Sequence, residues 1–169
     1  MVNNIFSERE LERYYHHISL PHFGLAGQRK VKQSAILIVG LGGLGSTSAL
    51  LLASAGVGQL GLIDDDRVKL GNLPRQFLYD TEVIGMPKVT VAKKRLLERN
   101  PDVLINVYNL KLTEDNAVDL IQNYDLVVDG TDNLSARRLI NKTCTHLEKP
   151  YIFSAVDLYD GQVSVFWAK

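Results

Sequence analysis

The sequence predicts a doubly wound α/β fold with a mainly parallel sheet, entered through an N-terminal helical arm. Three observations predict it. Short apolar runs alternate along the chain with amphipathic stretches, as strand–helix units require. One apolar run, Ile36-Leu37-Ile38-Val39, breaks straight into Gly40-Leu41-Gly42-Gly43-Leu44-Gly45, a G-x-G-x-x-G turn that opens a helix. About 20 residues later a second strand closes on Asp64-Asp65-Asp66, where a ribose-binding acid is expected.

Residues 1–33 read as the arm, with one helix over 8–17 capped by Ser7 and another over 25–33, separated by Pro21 and Gly24. Residues 34–169 read as one nucleotide-binding domain. Its first strand is 35–39, followed by a helix of small and apolar residues over 44–55 that Gly56 stops. The second strand covers 60–64. Residues 65–87 form a polar connection, too rich in charge and glycine to enter the core. The helix over 88–99 carries Val89, Ala92, Leu96 and Leu97 on one face and ends at Asn100-Pro101. A strand over 103–108, a helix over 114–122, a strand over 125–129 and a helix over 134–147 follow. Strands over 150–154 and 162–167 close the sheet around a turn at Asp160-Gly161. An ending on a strand suggests the front half of a larger catalytic unit.

Composition narrows the function. Of 169 residues, 19 are basic and 19 acidic, so no general attraction to nucleic acid or an anionic membrane follows. No apolar run approaches the roughly 20 residues that span a bilayer, and the N-terminus lacks signal-peptide form; the expected location is cytoplasmic. The single cysteine, Cys144, excludes an internal disulfide and a cysteine-based zinc cluster within this sequence, and reads as a small core residue. His16, His17, His22 and His146 show no metal-ligand spacing.

Ligands of open α/β sheets sit beyond the carboxyl ends of the strands, and three segments should meet there. In the first, Gly40 permits the tight turn, Gly42 removes a side chain where phosphate must approach, and Gly45 lets the helix pack on the strand. The helix then turns its free amides and positive end toward an anion. In the second, Asp64 is suited to both ribose hydroxyls and opposes a 2′-phosphate, with a solvated turn acid as the alternative; Asp65 should face solvent. The third is Asp129-Gly130-Thr131-Asp132-Asn133. Asp132 suits Mg²⁺, a hard ion held by one or two carboxylates plus phosphate oxygens. Helix capping by Asp132 or Asn133 competes with that reading. Lys88 opens a helix, where a cation opposes the macrodipole unless an anion lies nearby. A triphosphate flanked by Arg75 and Lys88 meets that need, and two ordinary surface cations are the alternative. No G-x-x-x-x-G-K-[ST] occurs, which argues against a P-loop ATPase.

Together these segments resemble the ThiF/MoeB/HesA family, bacterial relatives of ubiquitin-activating enzymes. The resemblance runs through Arg13-Tyr14, Gly27-Gln28, the glycine turn, Ala55-Gly56-Val57-Gly58 and the Asp64 triplet. It continues through Asn72-Leu73-Pro74-Arg75-Gln76, Gly85-Met86-Pro87-Lys88, Asn100-Pro101, the Asp129 segment with Arg137 and Asn141, and Gly161-Gln162. It implies a Rossmann-like adenylation domain and an ATP-dependent adenylyltransferase. In that chemistry the C-terminal carboxylate of a ubiquitin-like sulfur-carrier protein, ending in Gly-Gly, attacks the α-phosphorus of ATP–Mg²⁺ and pyrophosphate leaves. The resemblance implies that Gly42, Gly43 and Gly45 approach the phosphates and Asp64 holds the ribose. Asp66 and Asn72 then shape the pocket, Arg75 and Lys88 contact phosphates, Asp132 serves Mg²⁺, and Gln76 lines the pocket without assigned chemistry. It also implies a homodimer whose sites borrow from the neighbour.

The sequence departs from the family at three places. Where members read Arg-Tyr-x-Arg-Gln, with the second arginine reaching the neighbour's ATP, His16 and His17 stand here, and imidazole is no substitute for a permanent cation. Gly71 replaces the usual serine before Asn72-Leu73. The family's paired C-x-x-C zinc ligands, crossover loop and much of its carrier groove lie beyond the segments matched here. Thiamine, molybdopterin and other sulfur-transfer pathways all fit. Two other functions compete: an NAD-dependent oxidoreductase, which fits the glycine turn and Asp64 but leaves Arg75, Gln76 and Lys88 unexplained, and a non-catalytic scaffold that dimerises or binds a ubiquitin-like protein, suggested by His16-His17 and the early ending.

Overall fold

A computed structural model describes residues 5–167; the first four residues of the expected arm and the last two of the expected nucleotide-binding region lie outside the described residues. Strands β1 (Ala35–Val39), β2 (Gln59–Ile63), β3 (Leu104–Tyr108), β4 (Leu126–Asp129), β5 (Tyr151–Asp157) and β6 (Asp160–Phe166) form one sheet in the order β3-β2-β1-β4-β5-β6. Every pair is parallel except the β5–β6 hairpin. The chain winds outward from β1 to β3, then crosses back to lay β4 beside β1. The crevice above β1 and β4 is therefore the switch point at which such sheets bind ligands.

The continuous apolar runs arise because the parallel strands are buried on both faces. Ile36, Ile38, Leu60, Leu62 and Val128 pack on one side beneath α4 (Gly43–Ala55) and α5 (Lys88–Arg99). Leu37, Val39, Ile63 and Val127 pack on the other beneath α6 (Glu114–Ile121) and α7 (Leu134–His146). Cys144 on α7 is buried as expected, and burial pushes its thiol up to about 12.

Three expectations need correction. The arm helix over 8–17 is broken into α1 (Glu8–Arg13) and α2 (Tyr15–Ile18), ahead of α3 (Gly24–Gln33). Tyr14, at φ −100° and ψ 13°, leaves the helical path and buries its ring against Gly56, where its hydroxyl accepts a hydrogen bond from Asn100 Nδ2 at 2.8 Å. Residues 65–87 do enter the core: Val68, Leu78 and Tyr79 are buried, and two short 3₁₀ turns, Leu70–Asn72 and Thr81–Val83, fold the segment back. The closing hairpin turns at Leu158-Tyr159, because antiparallel pairing extends to Asp157 opposite Asp160.

The arm sits at the Ala55 end of α4. Buried Gln28 donates Nε2 to the Ala55 carbonyl at 2.7 Å, so its Oε1 accepts from His17 Nδ1 at 3.1 Å. α4, a helix of 13 residues and therefore about 20 Å long, separates this anchor from the glycine turn at its other end, and His16 is exposed on the arm.

Candidate active site

A cleft of about 880 Å³ opens over the carboxyl ends of β1, β2 and β4. Its floor is the glycine turn. Gly40 has φ +87°, and a Cβ there would stand 2.8 Å from the Gly130 carbonyl oxygen, so neither the conformation nor the space admits a side chain. α4 starts at Gly43 with Gly42 as N-cap and no side-chain capping bond. The first-turn amides consequently lack intrahelical partners, and Gly42, Gly43 and Leu44 line the cleft. Gly45 does not line it. A methyl at Gly45 would overlap the Gly40 carbonyl oxygen and stand 3.0 Å from its carbon, so the absent side chain there serves helix–strand packing.

Asp64, just past β2, has a side chain only 9% exposed. Its Oδ2 accepts from Leu41 N at 2.6 Å and its Oδ1 from Asp66 N at 2.8 Å, which ties the acid to the glycine turn. Lys88 is buried at the start of α5, and its Nζ donates to Asp66 Oδ2 at 3.0 Å and lies 3.8 Å from Asp64 Oδ2. Two carboxylates thus supply the anion that a cation at a helix start needs, before any triphosphate is considered. The Lys88 hydrogen bond holds the Asp66 carboxyl below its ordinary value despite an opposing push from burial. Asp65, expected to face solvent, is exposed on the rim of the same cleft.

The connection after β2 supplies the next wall. Arg75 is exposed, donates Nη1 to the Gly71 carbonyl at 3.2 Å, and lays its Cγ 3.5 Å from the place a Gly43 Cβ would take. Gln76 is buried, with Nε2 3.9 Å from the place a Gly42 Cβ would take and Oε1 without a hydrogen-bond partner among the described residues. Asn72 also lines the cleft, from the end of the Leu70–Asn72 turn. Beneath them, buried Tyr79 donates its hydroxyl to the Leu41 carbonyl at 3.1 Å, bracing the glycine turn from below.

Asp132 stands exposed at the mouth, and Asn133 rather than Asp132 caps α7, its Oδ1 accepting from Ala136 N at 2.9 Å. Asp129, fully buried at the end of β4, accepts from Thr131 N at 2.9 Å and Thr131 Oγ1 at 2.7 Å, and burial raises its pKa. Lys69, Lys111 and Arg137 line the cleft as well and were not assigned site roles by sequence. Lys111 lies just past β3, so the rule about strand carboxyl ends had the information to find it. The cleft thus mixes cations with four aspartates, a balance that suits a polyphosphate accompanied by a divalent ion.

Among the described residues no group of three or more His, Cys, Asp or Glu is placed to hold a metal. A metal caged by protein alone is not built here. Asp132 is a hard oxygen donor at the mouth of the cleft, the donor type that Mg²⁺ takes when phosphates supply its other ligands. Among the described residues no helix is long and apolar enough to cross a membrane.

The sequence pattern of the ThiF family matches residues 14–169. Similar curated proteins include a probable molybdopterin-synthase adenylyltransferase of Porphyra purpurea, 43% identical over 95% of this chain and 42% of its own length. The sulfur carrier protein adenylyltransferase of Thermus thermophilus is 44% identical over 95% of this chain and 59% of its own length. Among solved structures, PaaA superimposes with a TM-score of 0.82 at 30% identity, over 93% of this chain and 50% of that one. The E. coli tRNA N6-threonylcarbamoyladenosine dehydratase TcdA, in complex with ATP, superimposes with a TM-score of 0.83 at 27% identity, over 87% of this chain and 60% of that one. The chain spans about two fifths to three fifths of the length of these two curated relatives.

Proposed function

This chain belongs to the ThiF family, and from that premise we propose that it carries the ATP-binding site of an adenylyltransferase acting on a ubiquitin-like sulfur-carrier protein. The observation that carries this reading is the convergence of Gly42, Gly43, Asp64, Asn72, Arg75, Gln76, Lys88 and Asp132 on one cleft at the sheet's switch point.

In the proposed reaction a carboxylate oxygen of the carrier's C-terminal glycine forms a bond to the α-phosphorus. The bond from that phosphorus to the bridging oxygen breaks, and pyrophosphate leaves with the electron pair. A carboxylate is already ionised at neutral pH, so no general base is required, and catalysis reduces to positioning and charge neutralisation. Asp64 fixes the ribose with the lone pairs left over from Leu41 and Asp66. The amides at the start of α4 and the Gln76 carboxamide approach the phosphates. Arg75, exposed on the cleft wall, and Lys88 neutralise charge on the transferred group. Asp132 would hold Mg²⁺ together with phosphate oxygens, and the ion would supply further charge neutralisation there.

Pyrophosphate exchange into ATP, dependent on a small ubiquitin-fold protein ending in Gly-Gly, tests the reading. Exchange that Lys88→Ala and Asp132→Ala each abolish supports it. Binding of NADH without binding of ATP, or exchange unaffected by both substitutions, overturns it. We also infer a homodimer. Apolar side chains stand exposed on α4, the connection and the arm, with Leu51 at 64%, Phe77 at 71% and Tyr15 at 63% exposure. Light scattering reporting a monomer at micromolar concentration would refute that part.

A further inference from the structure

The geometry points to Arg137 as the positioning residue for Asp132, acting by clamping the loop that leads from β4 into α7; the inference rests on the adenylyltransferase reading for the role it gives Asp132. Thr131 is held at both of its peptide groups. Its amide and hydroxyl donate to Asp129 Oδ1 at 2.9 and 2.7 Å, an Asp turn closed on itself. Its carbonyl accepts from Arg137 Nη2 at 2.8 Å. The same nitrogen reaches the Ser154 carbonyl on β5 at 3.4 Å, and the guanidinium lies over the Phe153 ring, 5.0 Å from its centroid. Ser154 Oγ in turn donates to the Asp129 carbonyl at 2.7 Å, closing a ring of contacts from β4 through the loop to β5.

On the other side of Asp132, Asn133 is fixed as the cap of α7, while ahead of Thr131 Gly130 is packed against the Gly40 carbonyl and the Gly45 backbone. Asp132 is thus a residue whose neighbours on both sides are pinned, while its own side chain stands exposed at the cleft mouth. One guanidinium nitrogen serves a loop carbonyl and a strand carbonyl while the flat, permanently charged group lies over an aromatic ring, a reach and shape that the shorter, compact lysine ammonium does not reproduce. Buried atoms left unpartnered among the described residues include Arg137 Nε and Asp129 Oδ2, a donor and an acceptor in the same network.

Arg137→Lys and Asp132→Ala in the full chain test the clamp with two readouts. Hydrogen exchange of the ligand-free protein should be about tenfold faster across residues 130–133 in Arg137→Lys, with β1 and β2 unchanged. Mn²⁺ affinity, read by electron paramagnetic resonance with a non-hydrolysable ATP analogue, should fall about tenfold to a hundredfold in Arg137→Lys. Asp132→Ala should lose as much, and the double variant no more than either single one. Nucleotide affinity in a chelator should stay at the wild-type value. Unchanged exchange at 130–133, or metal and nucleotide affinities falling by the same factor, would overturn the inference. Should the wild type bind no Mn²⁺ with the analogue, the adenylyltransferase reading fails instead, and the exchange experiment still decides the clamp.

Discussion

Replacing Gly42 by alanine separates binding from folding more cleanly than any other change in the cleft. Gly42 has φ −72° and ψ −154°, backbone that alanine adopts without strain, and the nearest group to a new Cβ is Gln76 Nε2 at 3.9 Å. The folded state therefore has room for the methyl, and the expected cost is that of a poorer N-cap, about 1 kcal/mol or less. The methyl would stand on the floor where phosphate oxygens must approach the first amides of α4. Losing one charge-assisted hydrogen bond to such an oxygen costs about 1.5–3 kcal/mol, or about 10- to 150-fold in Kd. Gly45→Ala is the counterpart. Its methyl meets the Gly40 backbone rather than open space, so α4 must lift off β1. Overpacking of this kind costs about 1–3 kcal/mol, offset by roughly 1 kcal/mol of helix propensity. Calorimetric titration with ATP–Mg²⁺ and urea denaturation on both variants give the comparison. Gly42→Ala should lose affinity with at most a small fall in its urea midpoint, whereas Gly45→Ala should show its main effect in the midpoint. Wild-type ATP affinity in Gly42→Ala would refute the assignment of the turn to phosphate.

Three further outcomes follow from individual contacts. The Lys88 hydrogen bond lowers the Asp66 pKa from 3.8, so the ionised pair adds stability above that pH and loses it as pH falls through the folded value. Urea midpoints of wild type and Asp66→Asn should therefore differ at neutral pH and converge on acidification; a constant gap would contradict the pairing. Tyr79→Phe removes the hydroxyl that braces Leu41 and should cost about 0.5–1.5 kcal/mol, a fall in Tm of roughly 1–6 °C, measured by differential scanning calorimetry. Cys144, buried and with its thiol raised to about 12, should resist alkylation in the native protein and react only as fast as the chain unfolds; rapid labelling without unfolding would place it outside the core.

The parts of this molecule legible in its sequence are those where backbone geometry leaves few solutions. A turn needing φ +87° beside a carbonyl admits glycine, so Gly40 announced the end of β1 directly. Strands buried on both faces had to be continuously apolar, and β1, β2 and β4 were read within a residue at each end. What was missed depends on partners distant in the chain. Lys88 was read as needing a phosphate because Asp66 and Asp64, more than 20 positions earlier, were not known to fold against it. Tyr79 lies in a polar run with no period to betray a core residue, yet tertiary packing drives it under the glycine turn. Asp160-Gly161 carries strong turn chemistry, but the register of β5 against β6 carried the turn back to Leu158-Tyr159. In the arm, a cap and a helical pattern were visible, while the break at Tyr14 follows from Gly56 and Asn100 at remote positions.

The most direct test of the central claim is a calorimetric competition on the wild-type chain, titrating ATP–Mg²⁺ and then NAD into the same sample. Saturable binding of ATP–Mg²⁺ at one site per chain, lost in Asp64→Ala and undisturbed by NAD, is the predicted result. Saturable binding of NAD with no heat from ATP–Mg²⁺ would contradict it.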